Sequence, residues 1–520
     1  MNKFLNNRYL IIYIIPFIIG SLTVFSFQPF NFILINFFVL PIFFYFIIYI
    51  KKKSKSVYRK KPYKLNLFLF GLSFGFGFYL SGIHWISHSL TFDENFKILI
   101  PFALILIPLF LSLFFSLVTC FIGPLLSYDL RSIFILSGAL AFSDFLRAKI
   151  LTGFPWNLWA YSLSSYTEII QILDVSGLYL FNLISISVFM LPSIIFFNIK
   201  LVKKLLFLSF LGFFFFGLYI YGNHSLNHNK MIIKSQKEKF YIKVVSPNFK
   251  LEYGISLDQI KKRLQDLIKY SDIQDKKKTL IIWPEGVFSG YSYNDLKQFE
   301  NLFSSHFNKN HLILFGINMS GKDKEGFYNS LIVVNNNFEI IKEYKKQKLV
   351  PFGEFLPFEK ILKNFGLKKI TEGHISFLKG DKQENLKIDK LNILPLICYE
   401  VIFTKLVQKS DDNTNLIINI SEDGWFGNSL GPHQHFAKAI YRAIESNSFL
   451  IRSANKGISA IIDNKGNVVK RIDSNEVGNI ELEVPLIKSQ NRNKNDLIFF
   501  ILLITYVLIF NLKKKNNVKK

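Results

Sequence analysis

The sequence predicts a multi-span α-helical membrane domain joined to one α/β domain. Half of the 520 residues are hydrophobic and 58 are Phe, yet the formal net charge is +26. Lys and Arg collect in short runs beside long apolar stretches, as they do at the flanks of membrane spans. Elsewhere, short β-type runs alternate with amphipathic helical patterns, which is typical of layered α/β domains. Because the basic residues follow the apolar stretches, we predict no nucleic-acid partner.

Eight apolar stretches are long enough, or nearly so, to cross a hydrocarbon core of about 30 Å as helices. They lie at 9–26, 32–50, 65–88, 97–126, 131–148, 175–197, 205–221 and 497–512. The first is too long for the apolar region of a signal peptide, no cleavage site follows it and further spans come at once, so we predict a retained anchor. The predicted parts are a membrane domain of seven helices at 1–221, an extramembrane domain at 222–496, and an eighth helix with a basic tail at 497–520.

Basic loops predict the orientation of these spans. Residues 51–64 contain eight Lys or Arg, the tail at 513–520 contains five, and the loop at 199–204 contains three. Such loops remain on the cytoplasmic side of a membrane. Seven spans then deliver the domain at 222–496 to the opposite side, whereas a cytoplasmic domain would put the most basic loops on the wrong side.

Two groups of residues stand out within the membrane part. Asp144 and Arg147 close the fifth stretch, and a Gly-Phe-Pro-Trp sequence follows at 153–156. Interfacial anchoring and a headgroup or substrate site are both compatible with such residues. Gly71 and Gly75 in the third stretch favour close helix packing.

The region after 222 shows an alternation of strand and helix patterns that predicts a single α/β domain. About 270 residues can bury a large core, so we expect this domain to fold independently. The predicted strands and helices are a strand at 240–246, a helix at 257–273, a strand at 280–283, a helix at 294–306, a strand at 311–318, a hairpin at 328–344, strands near 393–397 and 415–420, a helix near 433–447 and three strands between 449 and 472.

Three ionisable residues follow predicted strands, where sites of layered α/β folds collect. They are Glu285, Lys346 and Cys398. A thiol needs a base or a nearby cation to act as a nucleophile, a carboxylate can accept its proton, and a lysine can stabilise an oxyanion. Each residue taken alone also has a structural interpretation: a core cysteine, a helix-capping glutamate and a solvated lysine. With only two cysteines, the sequence predicts no disulfide framework and no metal site.

The sequences around these residues resemble the catalytic segments of the carbon–nitrogen hydrolase (nitrilase) superfamily. They are IIWPEG at 281–286, YKKQKLVPFGE at 344–354 and LPLICYE at 394–400. The resemblance implies a four-layer α-β-β-α sandwich. It also implies Glu285 as the general base, Lys346 as the oxyanion stabiliser and Cys398 as the nucleophile.

Longer segments resemble the apolipoprotein N-acyltransferase family, the membrane branch of that superfamily. They lie at 145–162, 348–359, 397–403 and 423–436, and the order of seven spans, one domain and one span is also similar. The resemblance implies further polar site members and aromatic residues along the acyl or substrate path. The polar members are Glu354 and Glu400, and the aromatic residues are Tyr399 and Trp425.

Several positions depart from the pattern of that family. Lys348 stands where the family often has His, but Lys346 keeps the expected spacing from Tyr344 and Glu354 and is therefore our catalytic candidate. Glu422 stands where Asn is usual. His433 and His435 have no carboxylate or third His at a metal-binding spacing, so we predict structural roles for them.

The implied activity is a two-step acyl transfer without cofactor or metal. Cys398 takes an acyl chain from a phospholipid as a thioester, and the α-amino group of a diacylglyceryl-apolipoprotein then receives it. The implied location is the bacterial cytoplasmic membrane, among membrane lipids, with the catalytic domain on the periplasmic side. Two alternatives are a membrane-anchored amidase or nitrilase-type hydrolase and a transporter whose domain only binds a ligand.

Overall fold

The computed structural model describes most of the chain. The described residues are 7–57, 63–273, 277–321, 325–362, 376–382, 384–408, 411–489 and 496–512. Part of the basic segment at 51–64 and the whole basic tail at 513–520 lie outside them. The chain divides into two compact units. The first comprises Met1–Ser87, Ile98–His224 and Asn495–Lys520, and the second comprises His88–Lys97 and Ser225–Lys494.

The first unit consists of apolar helices. Among the described residues, five helices are long and apolar enough to cross a membrane, which confirms a multi-span protein. The predicted number of eight spans and the boundaries at 221 and 496 stay predictions. The α-helices are Ile15–Leu22, Asn36–Val57, Tyr63–Ile83, Ile100–Ile122, Leu130–Arg147, Leu173–Met190, Leu201–Ser235 and Leu497–Leu512.

Glycines allow two of these helices to approach closely. A Cβ atom on Gly71 would lie 2.8 Å from the carbonyl oxygen of Phe115, and one on Gly75 would lie 2.8 Å from Cα of Ser112. Real Cβ atoms do not approach backbone so closely, so a larger residue at either position would push the helices apart. The predicted packing role of this glycine pair is therefore present between helices Tyr63–Ile83 and Ile100–Ile122.

Asp144 and Arg147 form a buried ion pair inside the first unit. Arg147 Nη2 lies 2.8 Å from Asp144 Oδ1, and Asn182 Nδ2 donates to Asp144 Oδ2 at 2.9 Å. Arg147 also donates to the carbonyl oxygen of Phe154. These contacts tie the end of helix Leu130–Arg147 to the turn that follows it and to helix Leu173–Met190. Their partners are internal, as expected for a structural ion pair.

The second unit contains twelve strands among its described residues. They are β1 Lys239–Ser246, β2 Thr279–Ile282, β3 His311–Ser320, β4 Phe327–Val334, β5 Ile340–Lys345, β6 Leu386–Ile388, β7 Leu391–Ile397, β8 Leu416–Glu422, β9 Phe449–Asn455, β10 Ser459–Ile462, β11 Val468–Ile472 and β12 Gly478–Pro485. The α-helices are Leu257–Ser271, Tyr293–Leu296, Glu300–His306, Glu359–Leu362, Thr404–Gln408 and Gly431–Ser446.

The strands form two six-stranded sheets with the same pattern. One has the order β12-β1-β2-β3-β4-β5 and the other β6-β7-β8-β9-β10-β11. In each sheet three central strands run parallel and the outer strands are antiparallel to their neighbours. The carboxyl ends of the parallel strands therefore collect at one edge of each sheet, which is where functional residues are expected.

Apolar side chains fill the space between the sheets. Ile242 and Ile282 of the first sheet belong to the same buried cluster as Ile393 and Ile418 of the second. A separate apolar cluster lies on the outer face of the first sheet, where Leu264 and its neighbours in helix Leu257–Ser271 pack. Helix Gly431–Ser446 contacts β9 of the second sheet. The predicted α-β-β-α sandwich is confirmed.

Candidate active site

Cys398 occupies a strained turn at the carboxyl end of β7. Its backbone φ is +47°, in the left-handed region that a residue with a side chain rarely adopts. Holding such a residue there costs about 1–3 kcal/mol, which the surrounding structure must supply. Cys398 begins the 3-10 turn Cys398–Ile402 and is 7% exposed. The nucleophile predicted from the sequence is therefore buried and conformationally constrained.

Lys346 lies between two carboxylates. It follows β5, and its Nζ is 3.3 Å from Glu285 Oε1 and 2.8 Å from Glu354 Oε1. Glu285 comes shortly after β2, and all three side chains are buried. The fold thus brings together three of the residues that the sequence predicts for the site.

Asn329 joins the same cluster, although no sequence pattern indicated it. Its Nδ2 donates to Glu285 Oε1 at 2.7 Å and to Glu354 Oε1 at 2.8 Å. Asn329 lies within β4, so no motif distinguishes it from other residues of the hairpin. Glu354 also accepts from the backbone N–H of Val350 at 2.9 Å. Glu285 Oε2 accepts from the backbone N–H of Glu422 at 3.1 Å. Each of the two carboxylates is therefore held by Lys346, by Asn329 and by one backbone N–H.

The charges of this cluster set the protonation states at rest. Burial disfavours the ammonium, but the carboxylates of Glu285 and Glu354 outweigh burial and raise the pKa of Lys346. Burial, followed by the Glu285 carboxylate, raises the pKa of the Cys398 thiol, and Lys346 opposes these effects. Lys346 is therefore a permanent cation and Cys398 a neutral thiol at rest. A thiol acts as a nucleophile only after it loses its proton, and the Glu285 carboxylate is close enough to influence Cys398 electrostatically.

Glu400 holds the lysine segment and the cysteine segment together. Its carboxylate accepts from the Tyr344 hydroxyl at 2.9 and 3.0 Å and from the backbone N–H groups of Gln347 and Ile397 at 2.7 and 2.8 Å. Burial raises the pKa of Glu400 to about 7, although the backbone donors lower it. Glu400 thus positions the chain on both sides of the site.

Three buried residues anchor the backbone of Cys398. His435 Nε2 lies 3.2 Å from the carbonyl oxygen of Cys398, and His435 Nδ1 lies 3.0 Å from Asp423 Oδ1. Arg452 Nη2 donates to Asp423 Oδ2 at 2.7 Å. Burial would raise the pKa of Asp423, but Arg452 and His435 outweigh burial and keep this carboxyl ionised. The sequence predicted a structural role for His435, but it did not predict the link to Cys398.

The predicted aromatic residues occupy two separate places. Tyr399 is buried and packs edge-on against Phe403, with ring centroids 5.1 Å apart. Trp425 packs against Phe92 and Tyr253, at centroid distances of 5.2 and 6.3 Å. Phe92 and Tyr253 line an open cavity of about 730 Å³. Its volume lies in the usual range for ligand sites.

Two sequence profiles match the chain. That of the apolipoprotein N-acyltransferase N-terminal domain matches residues 19–191, and that of the carbon–nitrogen hydrolases matches residues 253–491. The range matched by the second profile contains Glu285, Lys346 and Cys398.

Similar proteins cover nearly the whole chain. A protein of Rickettsia typhi named apolipoprotein N-acyltransferase is 33% identical over 95% of this chain and 98% of its own length. A protein of the same name from Rhodopseudomonas palustris is 27% identical over 91% of this chain and 89% of its own.

Two solved structures are similar to about half of the chain. A carbon–nitrogen hydrolase superfamily protein of Xanthomonas campestris has a TM-score of 0.35 at 15% identity and covers 48% of this chain and 91% of its own. A nitrilase-superfamily protein of Saccharomyces cerevisiae has a TM-score of 0.37 at 16% identity and covers 54% of this chain and 97% of its own.

Proposed function

The chain belongs to the apolipoprotein N-acyltransferase family, and from that premise we propose that it carries the transferred acyl group as a thioester on Cys398. The chain is a membrane-bound acyltransferase of lipoprotein maturation, with lipid and lipoprotein substrates. The observation that carries the thioester proposal is the strained, buried Cys398 beside a cluster of two carboxylates and one ammonium.

The first half-reaction forms the thioester. Glu285 accepts the thiol proton while the Cys398 sulfur attacks an ester carbonyl of a phospholipid, and the ammonium of Lys346 stabilises the oxyanion. When the tetrahedral intermediate collapses, the carbon–oxygen bond breaks and Glu285 returns the proton to the leaving alkoxide. A lysophospholipid departs and the acyl chain remains on sulfur.

The second half-reaction transfers the acyl chain to an amine. The neutral α-amino group of a diacylglyceryl-apolipoprotein attacks the thioester carbonyl and gives a proton to Glu285. The carbon–sulfur bond then breaks, and the thiolate of Cys398 takes the proton back from Glu285. The products are an amide on the acceptor and the free enzyme.

The remaining site residues have supporting roles in this scheme. Glu354 and Asn329 fix Lys346 and Glu285 through hydrogen bonds of 2.7 to 2.8 Å, so that the ammonium faces the developing oxyanion in a single orientation. Glu400 positions the two catalytic segments. Tyr399 and Trp425 contribute apolar surface along the path of the substrates.

The location of the chain follows from the positions of its basic loops. We place it in the bacterial cytoplasmic membrane with residues 222–496 on the periplasmic side, after seven spans and before an eighth. Lys342→Cys in the exposed part of β5 should react with a membrane-impermeant maleimide in spheroplasts, whereas Lys203→Cys should react only after lysis. Labelling of Lys203→Cys in intact spheroplasts would show that the orientation is opposite to the proposed one.

The nature of the acyl acceptor separates transfer from hydrolysis. Purified protein is incubated with a phospholipid carrying a labelled acyl chain and a diacylglyceryl-cysteine peptide. We expect the label in an amide of the peptide, and none in that product with Cys398→Ser. Recovery of the label only as free fatty acid would favour a hydrolase and overturn the proposal.

A further inference from the structure

Glu422 lies directly against the general base. It is the last residue of β8 and is 2% exposed, and its backbone N–H donates to Glu285 Oε2 at 3.1 Å. A Cβ atom on Gly286 would lie 2.8 Å from Glu422 Oε2, so no side chain separates this carboxyl from the segment of Glu285. The backbone of Glu422 therefore helps to position the Glu285 carboxylate.

The carboxyl of Glu422 makes two further hydrogen bonds. Its Oε1 accepts from the backbone N–H of Gly424 at 2.8 Å, which closes the turn after β8. Its Oε2 accepts from Asn455 Nδ2 at 2.7 Å. One oxygen therefore accepts from the turn that follows β8, and the other accepts from the last residue of β9.

Asn455 binds a segment that we call the arm, residues 247–255. Its Oδ1 accepts from the N–H of Phe249 at 2.7 Å, and its Nδ2 donates to the carbonyl oxygen of Phe249 at 3.0 Å. The same Nδ2 serves both Glu422 and the arm. A continuous chain of hydrogen bonds thus runs from Glu285 through Glu422 and Asn455 to the arm.

The arm forms one wall of the open cavity. Residues 250–255 all line it, and Gly424 and Gly427 lie among the other lining residues. Three side-chain amides also line it, those of Gln259, Asn428 and Asn475. Amides both donate and accept hydrogen bonds, as the backbone of a peptide ligand requires. The lining is therefore suited to the peptide portion of an acyl acceptor.

We propose that Glu422 is a positioning residue that couples the general base Glu285 to the arm, and that the arm and its cavity bind the peptide of the acyl acceptor. The inference rests on the proposed acyl transfer. It assigns two separable tasks to one carboxyl: Oε1 steadies the turn beside Glu285, and Oε2 keeps the acceptor wall in place through Asn455.

The charged groups around Glu422 come from three elements. Glu285 follows β2, Asp423 follows Glu422 itself, and Arg263 lies on helix Leu257–Ser271. Burial raises the pKa of Glu422 to about 8, and Glu285 and Asp423 add to that effect. Both hydrogen bonds persist in either protonation state because a hydroxyl oxygen still accepts. An amide cannot replace both acceptors, since its NH2 group only donates.

Glu422→Gln should therefore separate the two tasks. The N–H of Gly424 is fixed by the backbone, so the amide turns its oxygen there and its NH2 toward Asn455, where two donors then face each other. We expect the rate at saturating substrates to fall less than in Glu422→Ala, which also loses the acceptor for the N–H of Gly424. The acceptor concentration for half-maximal rate should rise by about 3- to 10-fold, as expected for one lost hydrogen bond.

Three further variants test the coupling. Asn455→Ala should give at least the rise seen in Glu422→Gln, because it also removes both hydrogen bonds to Phe249. The double variant should be no worse than Asn455→Ala, because both substitutions break the same chain. Glu422→Ala should also lower the saturating rate. Asn464→Ala is the matched control, since it removes a buried amide that pairs with Asn229 and not with the arm. It should leave the acceptor dependence unchanged.

The proposal would be overturned if the rises in the acceptor concentration for half-maximal rate multiplied in the double variant. It would also be overturned if the variants needed more phospholipid instead of more acceptor. Hydrogen exchange of residues 247–255 provides a second measurement that needs no catalysis. Exchange should accelerate in Glu422→Gln and Asn455→Ala but not in Asn464→Ala. Unchanged exchange in these two variants would refute the coupling, whether or not the wild-type protein forms a thioester. Failure of the wild-type protein to form a thioester would count against the proposed function alone.

Discussion

Each unit buries an ion pair together with an asparagine, but the charges balance in only one of them. In the first unit Asp144 and Arg147 lie 2.8 Å apart, and Asn182 donates to the same carboxylate. In the second unit Lys346 is shared by Glu285 at 3.3 Å and Glu354 at 2.8 Å. One cluster is neutral, whereas the other holds two carboxylates for one ammonium.

This difference in charge distinguishes an ion pair that only stabilises the structure from a cluster that can take part in catalysis. A neutral pair with internal partners can only hold its neighbours, and such pairs contribute little net stability. The unbalanced cluster has spare capacity to accept a proton, and it lies where its charges act on the Cys398 thiol. The excess carboxylate is therefore the feature that we associate with catalysis.

Removing the base should have the largest effect on activity. Glu285→Gln keeps the shape of the side chain but cannot accept the thiol proton, so the acyl-transfer rate should fall by about 10²- to 10⁴-fold. Rates are compared at saturating phospholipid and acceptor, with thermal unfolding as the check on folding. A variant that retains more than a tenth of the wild-type rate would contradict this role.

Removing the shared cation should reduce both activity and stability. Lys346→Met leaves two buried carboxylates uncompensated, so we expect a rate loss of about 10²- to 10³-fold and a lower unfolding midpoint. Adding Glu354→Gln to this variant should restore part of the midpoint but none of the rate. Recovery of activity in the double variant would show that Lys346 only balances charge.

The neutral pair should behave in the opposite way. Arg147→Met leaves Asp144 buried without its cation and should cost about 3–5 kcal/mol of stability. The rate per folded molecule should remain within about 2-fold of wild type. The double variant Asp144→Leu/Arg147→Met should be more stable than the single variant. A large loss of specific activity without a loss of stability would instead indicate a substrate site in the first unit.

The smallest expected effect is a pH dependence of stability. Burial raises the pKa of Glu422 from 4.5 to about 8, so the native protein holds a proton here that the unfolded chain has lost. The contribution is fully present below about pH 4.5 and is lost as the pH rises toward 8, so the free energy of unfolding should fall across this window. Unfolding midpoints measured from pH 5 to 8 should fall less steeply in Glu422→Gln. Identical slopes would contradict the prediction.

Local sequence predicted the elements whose patterns are self-contained. The strand before Glu285, the amphipathic helix Leu257–Ser271 and the strand before Cys398 all form within a few residues of the predicted positions. Their signals are buried apolar runs and helical spacing, which do not depend on distant partners. Glu285, Lys346 and Cys398 could be predicted as site residues because they follow such strands.

Other features depend on contacts that no local pattern records. Strand β12 was missed although its charged and apolar residues alternate as they do in a half-buried strand. Its place in the sheet depends on pairing with β1, which comes from the other end of the domain. Helix Leu201–Ser235 continues well past the predicted boundary at 221, since nothing in its backbone stops it there. Asn329 acquires its role only when β4 brings it beside Glu285 and Glu354. Asp423 and Arg452 meet because β8 and β9 are neighbours in the second sheet.

The central claim is that Cys398 carries the acyl group, and intact-protein mass spectrometry tests it most directly. Wild-type protein and Cys398→Ala are incubated in detergent with one defined phospholipid and no acceptor. We predict that the wild type gains the mass of one acyl chain, that Cys398→Ala gains none, and that a diacylglyceryl-cysteine peptide removes the added mass. An equal adduct on Cys398→Ala, or no adduct on a folded wild-type protein that still acylates the peptide, would contradict the account.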